Sequence, residues 1–471
     1  MLRIYFLGIG GTAMANVAAM MRQLGHRVSG SDHGVYPPMS AFLQRQDIAY
    51  REGFSENHLI QENPDLVVVG NAVSRGNPEV EYLLQNPQIK KVSMPELLCH
   101  QVLSKRRNLV VTGTHGKTTT TTLIAFLLEQ MQLEPGYLIG GIPVDLEAGF
   151  RTGKEGGAFV IEGDEYDSAF FDKRSKFIHY QPEILVINNL EFDHADIFRD
   201  LEDVQRSFEH LLRIVPSGGK VIINGDDPRI EALLPQPWLE VTRVGLGDHN
   251  DIRIAAFEDY SEGSQFALWR GEQALGVFPS GLNGLFNARN AALASVAVDA
   301  FTGGGLFGKV SCDCLRSFGG VKRRQERVID QPRLQVFEDF AHHPSAVLAV
   351  LQSLRERFSG FYLVACWEPR SNSAVKNQWI EEWVGALQLA DRILIGKIHR
   401  FDPSCPEQFL QIPKIIDRLR AIGKRAEAFA SNEALFNALP SMKKIQTKTV
   451  IVFLTNGSFD GIIQKYGSTT Q

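Results

Sequence analysis

Short apolar runs recur along the chain, each bounded by glycine or polar loops, and most are followed by a longer stretch with apolar positions three and four apart. The runs are continuous rather than alternating, which predicts strands buried on both faces of parallel sheets with helices between them. In the first segment the expected strands are Leu2–Leu7, Arg27–Gly30 and Asp65–Val69. In the second they are Leu109–Val111, Ala158–Ile161, Ile184–Asn188 and Lys220–Asn224. In the third they are Leu334–Phe337, Phe361–Cys366, Arg392–Ile395 and Thr449–Leu454. Residues Asp251–Phe278 alternate polar and apolar positions and are expected to form a small β insertion. The fold class is α/β, with three units expected at 1–106, 107–325 and 326–471, since 471 residues exceed what one core usually serves. A site is expected in the clefts between them.

Composition narrows the function classes. A formal charge of -5 leaves no basic footprint for nucleic acid. The short clusters Lys105-Arg106-Arg107 and Lys322-Arg323-Arg324 suit a domain edge or a substrate contact. Five scattered cysteines fit neither a disulfide framework nor a zinc site, so a reducing cytoplasm is expected. Gly8-Ile9-Gly10-Gly11 interrupts the apolar start and the helical pattern runs on to Gly25, unlike a secretory leader. No apolar run approaches the ~20 residues of a membrane span.

The densest chemistry lies in Leu109-Val110-Val111-Thr112-Gly113-Thr114-His115-Gly116-Lys117-Thr118-Thr119, where a strand breaks into a glycine loop and a helical stretch, Thr120–Gln130, follows. Gly113 and Gly116 let backbone N–H groups crowd phosphate oxygens, Lys117 can reach the terminal phosphates, and the Thr118 hydroxyl is placed for Mg²⁺. The first glycine lies three residues before Gly116 rather than the five of the standard nucleotide loop.

A second glycine turn, Gly8-Ile9-Gly10-Gly11-Thr12-Ala13, follows the first strand, with Asp32 at the end of the next strand, where a carboxylate can bond ribose hydroxyls. Alone it suits NAD, FAD or a UDP-sugar equally, and an oxidoreductase resting on it leaves the phosphate loop unexplained. The loop Gly70–Pro78, carrying Asn71, Ser74 and Arg75, is either a ligand loop or a plain connection.

Glu162, Asp164, Glu165 and Asp167 follow one strand of the second segment, and Asn189-Leu190-Glu191-Phe192-Asp193-His194 follows another. Glu162 and His194 can add a divalent-cation site beside Thr118, or be solvated turn residues. In the third segment Asp339 and His342-His343 precede Pro344, either as ligand contacts or as a helix cap with surface histidines. The loop Glu368-Pro369-Arg370-Ser371-Asn372 offers a cation able to grip a carboxylate.

Several of these motifs together resemble the Mur ligase family over essentially the whole chain: Thr112–Thr118 as its ATP loop, Glu162-Gly163-Asp164-Glu165 as its acidic motif and Asn189–His194 as its metal-histidine motif. Gly320-Val321-Lys322-Arg323-Arg324 is similar to its junction to the third domain, and Asp339-Phe340-Ala341-His342-His343-Pro344 to the first loop of that domain. The resemblance implies three domains: a Rossmann-like UDP-binding domain, a central ATPase-type parallel sheet and a C-terminal Rossmann-like domain. It implies an ADP-forming, ATP- and Mg²⁺-dependent amide ligase acting in the cytoplasm through an acyl phosphate. Gly8, Gly10, Gly11, Asp32, Asn71, Ser74 and Arg75 would contact the UDP-sugar. Gly113, Thr114, His115, Gly116, Lys117, Thr118, Thr119, Asn287, Asn290, Arg324 and Asp339 would contact ATP. Lys117, Glu162 and His194 would be catalytic, with Thr118, Glu162 and His194 holding metal.

Val35–Ser40, Arg75-Gly76-Asn77-Pro78, Phe170–Phe177, Glu368–Asn372 and Thr455-Asn456-Gly457 are similar to the branch that joins UDP-N-acetylmuramate to L-alanyl-γ-D-glutamyl-meso-diaminopimelate in peptidoglycan recycling. Arg370, Ser371, Asn372, His342 and His343 would then hold the tripeptide, with Lys173 and Arg174 as weaker candidates. The opening Gly-Ile-Gly-Gly is instead like the branch that adds L-alanine. A monomer or weak homo-oligomer is implied, with no nucleic-acid or membrane partner. Two departures stand out. Phe286 replaces the histidine the family commonly carries before Asn287, and no lysine lies between His194 and Pro216 to serve as a carbamylated ligand.

Overall fold

The computed structural model describes all residues except 37–38, 196, 235–236, 310–311, 400–407, 440–445 and 469–471, so the Pro37-Pro38 pair lies outside the described residues. Three separate sheets carry the α/β alternation. The first has five parallel strands in the order Ala49–Glu52, Arg27–Asp32, Arg3–Leu7, Leu66–Val69, Lys91–Ser93. Its central strand sends Ile4 and Phe6 toward the helix Thr12–Gln23, and Tyr5 and Leu7 into a second cluster with Leu59, Val67 and Val80. Both faces are thus buried, as the continuous apolar runs require.

The central sheet has ten strands, with Arg107–Thr112 paired in parallel to Ile184–Ile187 on one side and Ala158–Glu162 on the other. Residues 251–278 form the expected β segment, as an extension of this sheet. Ile252–Tyr260, Gly263–Arg270 and Gln273–Ser280 make an antiparallel meander that extends this sheet, joined through a short parallel pairing of Val244 and Gly245 with Ile252 and Arg253. The alternation reports a sheet edge with one solvated face. The helix Leu285–Phe301 is buried along most of its length against the helix Lys117–Gln130 and the sheet.

The third sheet has six strands in the order Glu326–Gln331, Leu334–Asp339, Thr449–Leu454, Tyr362–Trp367, Arg392–Ile395, Arg425–Ala428, parallel except for the first. Trp367 and Trp383 stack in its core with ring centroids 3.9 Å apart. Both are fully buried. Trp383→Ala is expected to cost about 3–5 kcal/mol, the usual loss when a buried aromatic becomes a cavity. Intrinsic fluorescence during urea unfolding checks this; an unshifted transition would refute it. No helix among the described residues is long and apolar enough to cross a membrane.

Candidate functional site

The strand Arg107–Thr112 delivers the glycine loop to the carboxyl edge of the central sheet, where open α/β sheets bind ligands. Gly113 and Gly116 take φ of +125° and +81°. A Cβ at Gly116 would lie 2.6 Å from both Asn188 Nδ2 and Asn290 Oδ1, so only glycine fits. Gly116 caps the helix directly, which therefore begins at Lys117 rather than at the expected Thr120. The Asn189 side chain accepts a hydrogen bond from the His115 backbone N–H at 2.7 Å, and Thr114 N–H donates to the Asn189 carbonyl at 3.2 Å. Thr119 is buried in the first helical turn. Asn290 stands beside the loop, bonded to Asn188 at 3.2 Å and to Asn287 at 3.2 Å.

Around the loop the charges are buried and paired. Lys117 Nζ donates to the Gly113 carbonyl at 2.7 Å and to Glu165 Oε2 at 2.9 Å. Burial opposes the Lys117 charge, but Glu165, Asp164 and Glu162 outweigh it and hold the ammonium above its ordinary range. Burial likewise opposes the Glu165 charge, and Lys117 and His194 hold its carboxyl down at about 2. Thr118 Oγ1 donates to Glu162 Oε2 at 3.0 Å, and the Gly140 backbone N–H donates to Glu162 Oε1 at 2.5 Å. For Glu162 burial dominates, with Asp164 next, so its carboxyl lies above the ordinary glutamate range.

The expected Glu162–His194 pairing takes a different form. His194 Nε2 meets Glu165 Oε1 at 3.1 Å, while Glu162 is drawn to Thr118 and Gly140. His194 sits at φ +55°, in the left-handed region that histidine enters more readily than most residues other than glycine. The hydroxyl and carboxylate oxygens of Thr118 and Glu162 suit a hard cation such as Mg²⁺. Glu165, which ties Lys117 to His194, was visible in the sequence only as one acid among four.

The third unit closes over this edge. Arg324 Nη2 reaches Thr118 Oγ1 at 3.3 Å, and Asp339 fixes the adjoining turns by accepting from Gln325 and Ala341 N–H, each at 2.7 Å. His343 and Ser345 meet Glu191, His342 Nε2 lies 3.7 Å from Asp193, and the Ser373 hydroxyl donates to Asp193. Phe286 packs with the core of the third unit. Ser345 and Ser373 carried no sequence signal, because each gains its partner only through docking of distant loops.

Arg370 lies 3.8 Å from the fully buried Glu368, which is held by His399, Asn432 and Thr455. Ser371 Oγ accepts from the Ala374 N–H at 3.0 Å, and Asn372 lies in the same loop. Lys173 and Arg174 are taken up by ion pairs with Asp167 and Asp172.

In the first unit, Gly8 takes φ +83° and Gly10 N–H donates to Asp32 Oδ2 at 2.7 Å, binding the glycine turn to the end of the second strand. Gly11 is the N-cap of the following helix. The loop with Asn71 and Ser74 lies alongside, since a Cβ on Gly8 would meet Val73 at 3.1 Å. Arg75 turns away to pair with Glu81.

Comparison with known proteins agrees with this arrangement. Residues 3–106 match the model described as Mur ligase family, catalytic domain, and residues 111–298 that of the Mur ligase middle domain. The UDP-N-acetylmuramate–L-alanyl-γ-D-glutamyl-meso-2,6-diaminoheptandioate ligase of Haemophilus influenzae is 38% identical, over 99% of this chain and 98% of its own. The UDP-N-acetylmuramate–L-alanine ligase of Desulforapulum autotrophicum is 30% identical, over 84% of this chain and 83% of its own. The crystal structure of a murein peptide ligase from Psychrobacter arcticus superposes with a TM-score of 0.72 at 34% identity, covering 99% of this chain and 98% of that one. The expected three-domain α/β architecture is thereby met, and the chain belongs to the Mur ligase family.

Proposed function

We propose that the chain joins UDP-N-acetylmuramate to L-alanyl-γ-D-glutamyl-meso-diaminopimelate with ATP, as a cytoplasmic enzyme of peptidoglycan recycling. The observation that carries this reading is the 38% identity, over nearly the whole chain, to a relative named for that tripeptide, against 28% to 32% to alanine-adding ligases.

A carboxylate is a poor acyl donor, so the muramate carboxylate takes the γ-phosphoryl of ATP, releasing ADP. The alanyl amine of the tripeptide then attacks the acyl phosphate and phosphate leaves. Gly113–Thr119 cradle the nucleotide phosphates, and Lys117 offsets charge on the transferring group. Asn287 and Asn290 take the adenine side, and Arg324 at the junction and Asp339 in the third unit hold ATP. Mg²⁺ held by Thr118 and Glu162, with His194 alongside, would neutralise charge on phosphate oxygens. Glu165 keeps Lys117 and His194 in place. Gly8, Gly10, Gly11, Asp32, Asn71 and Ser74 take the UDP-sugar, with Arg75 reaching it only after release from Glu81. Contacts from His342, His343 and Ser373 bring the third unit down and exclude water from the acyl phosphate.

Arg370, set by Glu368, grips a carboxylate of the tripeptide, with Ser371 and Asn372 beside it. Arg370→Ala is expected to raise the KM for tripeptide by about ten- to a hundredfold, matching the loss of a charged hydrogen bond, and to leave the KM for the UDP substrate unchanged. Equal effects on both would remove Arg370 from this role.

The deciding experiment measures phosphate release with ATP, Mg²⁺ and UDP-N-acetylmuramate, with tripeptide and L-alanine in separate reactions. Release with tripeptide alone supports the reading. Release with L-alanine alone moves the chain to the synthetic branch.

A further inference from the structure

We infer that His115, Glu191, His343 and Ser345 form a second cation site, for a borderline transition metal such as Zn²⁺, distinct from the oxygen pair Thr118 and Glu162. His115 Nε2, a Glu191 carboxylate oxygen and a His343 ring nitrogen lie within 4.8 Å of one another, a grouping contributed by three separate loops. His115 Nε2 is 3.6 Å from Glu191 Oε2, and His343 Nδ1 is 3.2 Å from the same oxygen. The Ser345 hydroxyl lies 2.5 Å from Glu191 Oε2, 2.8 Å from His343 Nδ1 and 3.2 Å from His115 Nε2.

Four-coordinate zinc with bonds of about 2.0–2.2 Å places its donors about 3.3–3.6 Å apart. The two nitrogen-to-carboxylate separations, 3.6 and 3.2 Å, lie near that edge length, while the Ser345 hydroxyl stands hydrogen-bonded among the three donors and draws back to become the fourth ligand when an ion enters. Two nitrogens and two oxygens suit Zn²⁺ or Co²⁺, whereas Mg²⁺ prefers an all-oxygen octahedron. The group is also reachable, because Glu191, His343 and Ser345 line a cavity of 930 Å³ between the central and third units. An ion there ties the phosphate loop to the third unit, since His115 belongs to the first and His343 and Ser345 to the second.

The test titrates the full-length protein with Co²⁺ in excess Mg²⁺ and follows visible absorption. One equivalent is expected to give the intense bands of four-coordinate cobalt, which Zn²⁺ then abolishes. His343→Ala and Glu191→Gln are each expected to weaken Co²⁺ binding by more than about tenfold, the least that losing even an outer-shell partner of a metal causes. Ser345→Ala should keep binding and shift the bands. Absence of such bands, or bands that survive in His343→Ala and vanish in His194→Ala, would overturn the assignment. Anomalous diffraction from zinc-soaked crystals needs no variant: density among these four side chains supports the site, and density elsewhere alone refutes it.

Discussion

Lys117→Ala is expected to lower kcat by at least about two to three orders of magnitude, the cost of removing one preorganised group that stabilises transition-state charge. It should also lower thermal stability, because Lys117 is the buried partner of Glu165. Truncating one member of a buried ion pair typically costs about 3–5 kcal/mol. Here His194 remains on Glu165, so the loss should fall at the lower end of that range. Lys117→Met keeps the apolar stem and removes only the charge, so activity should fall as far, and whatever stability it regains over Lys117→Ala measures the packing of the stem rather than the ion pair. Phosphate release and thermal melting of both variants check this. Near-normal turnover in Lys117→Ala would end the scheme.

Glu162→Gln is expected to weaken Mg²⁺ binding by more than about tenfold, since the variant loses a full ligand charge and even outer-shell losses reach that size. The amide oxygen can still accept from Gly140, so the fold should hold. The pH dependence has a definite sign. Burial, and then Asp164, raise the Glu162 carboxyl above its ordinary range, so protons compete with the cation to higher pH than at an exposed glutamate. Mg²⁺ affinity of the unaltered enzyme should therefore fall with decreasing pH sooner than at an exposed glutamate, with proton release on binding. Glu162→Gln should lose that slope. A slope remaining nearer neutral pH belongs to His194, whose charge burial opposes and Glu165 sustains. Calorimetry in buffers of different ionisation enthalpy measures both; the acid-side slope retained by the glutamine variant would refute the assignment.

Local patterns carried much of this legibility. The apolar runs announced the inner strands of all three sheets because those strands are buried on both faces. Gly113, Gly116 and Asp32 stood out because their roles depend on backbone geometry that only a few residue types supply. The docked contacts were hidden for a physical reason. Glu165 meets both Lys117 and His194 across long stretches of chain, and Ser345 and Ser373 meet Glu191 and Asp193 only when two sheets come together. The strand Glu326–Gln331 escaped notice because it is a charged edge, and the meander was legible as β while the sheet it joins was not, because alternation reports exposure of one face without naming the sheet.

That meander has a bearing on how the chain acquires and keeps its structure. Its three strands pair with sequence neighbours, whereas Arg107–Thr112 must wait for partners that arrive much later in the chain. Local pairings close quickly, and distant ones meet a larger loop-closure cost. Its link to the parallel strands is only two residue pairs long. The amides of Gly263–Arg270 should therefore exchange with deuterium through openings that leave Leu109–Val111 protected, making the meander a separate unit of cooperativity within one continuous sheet.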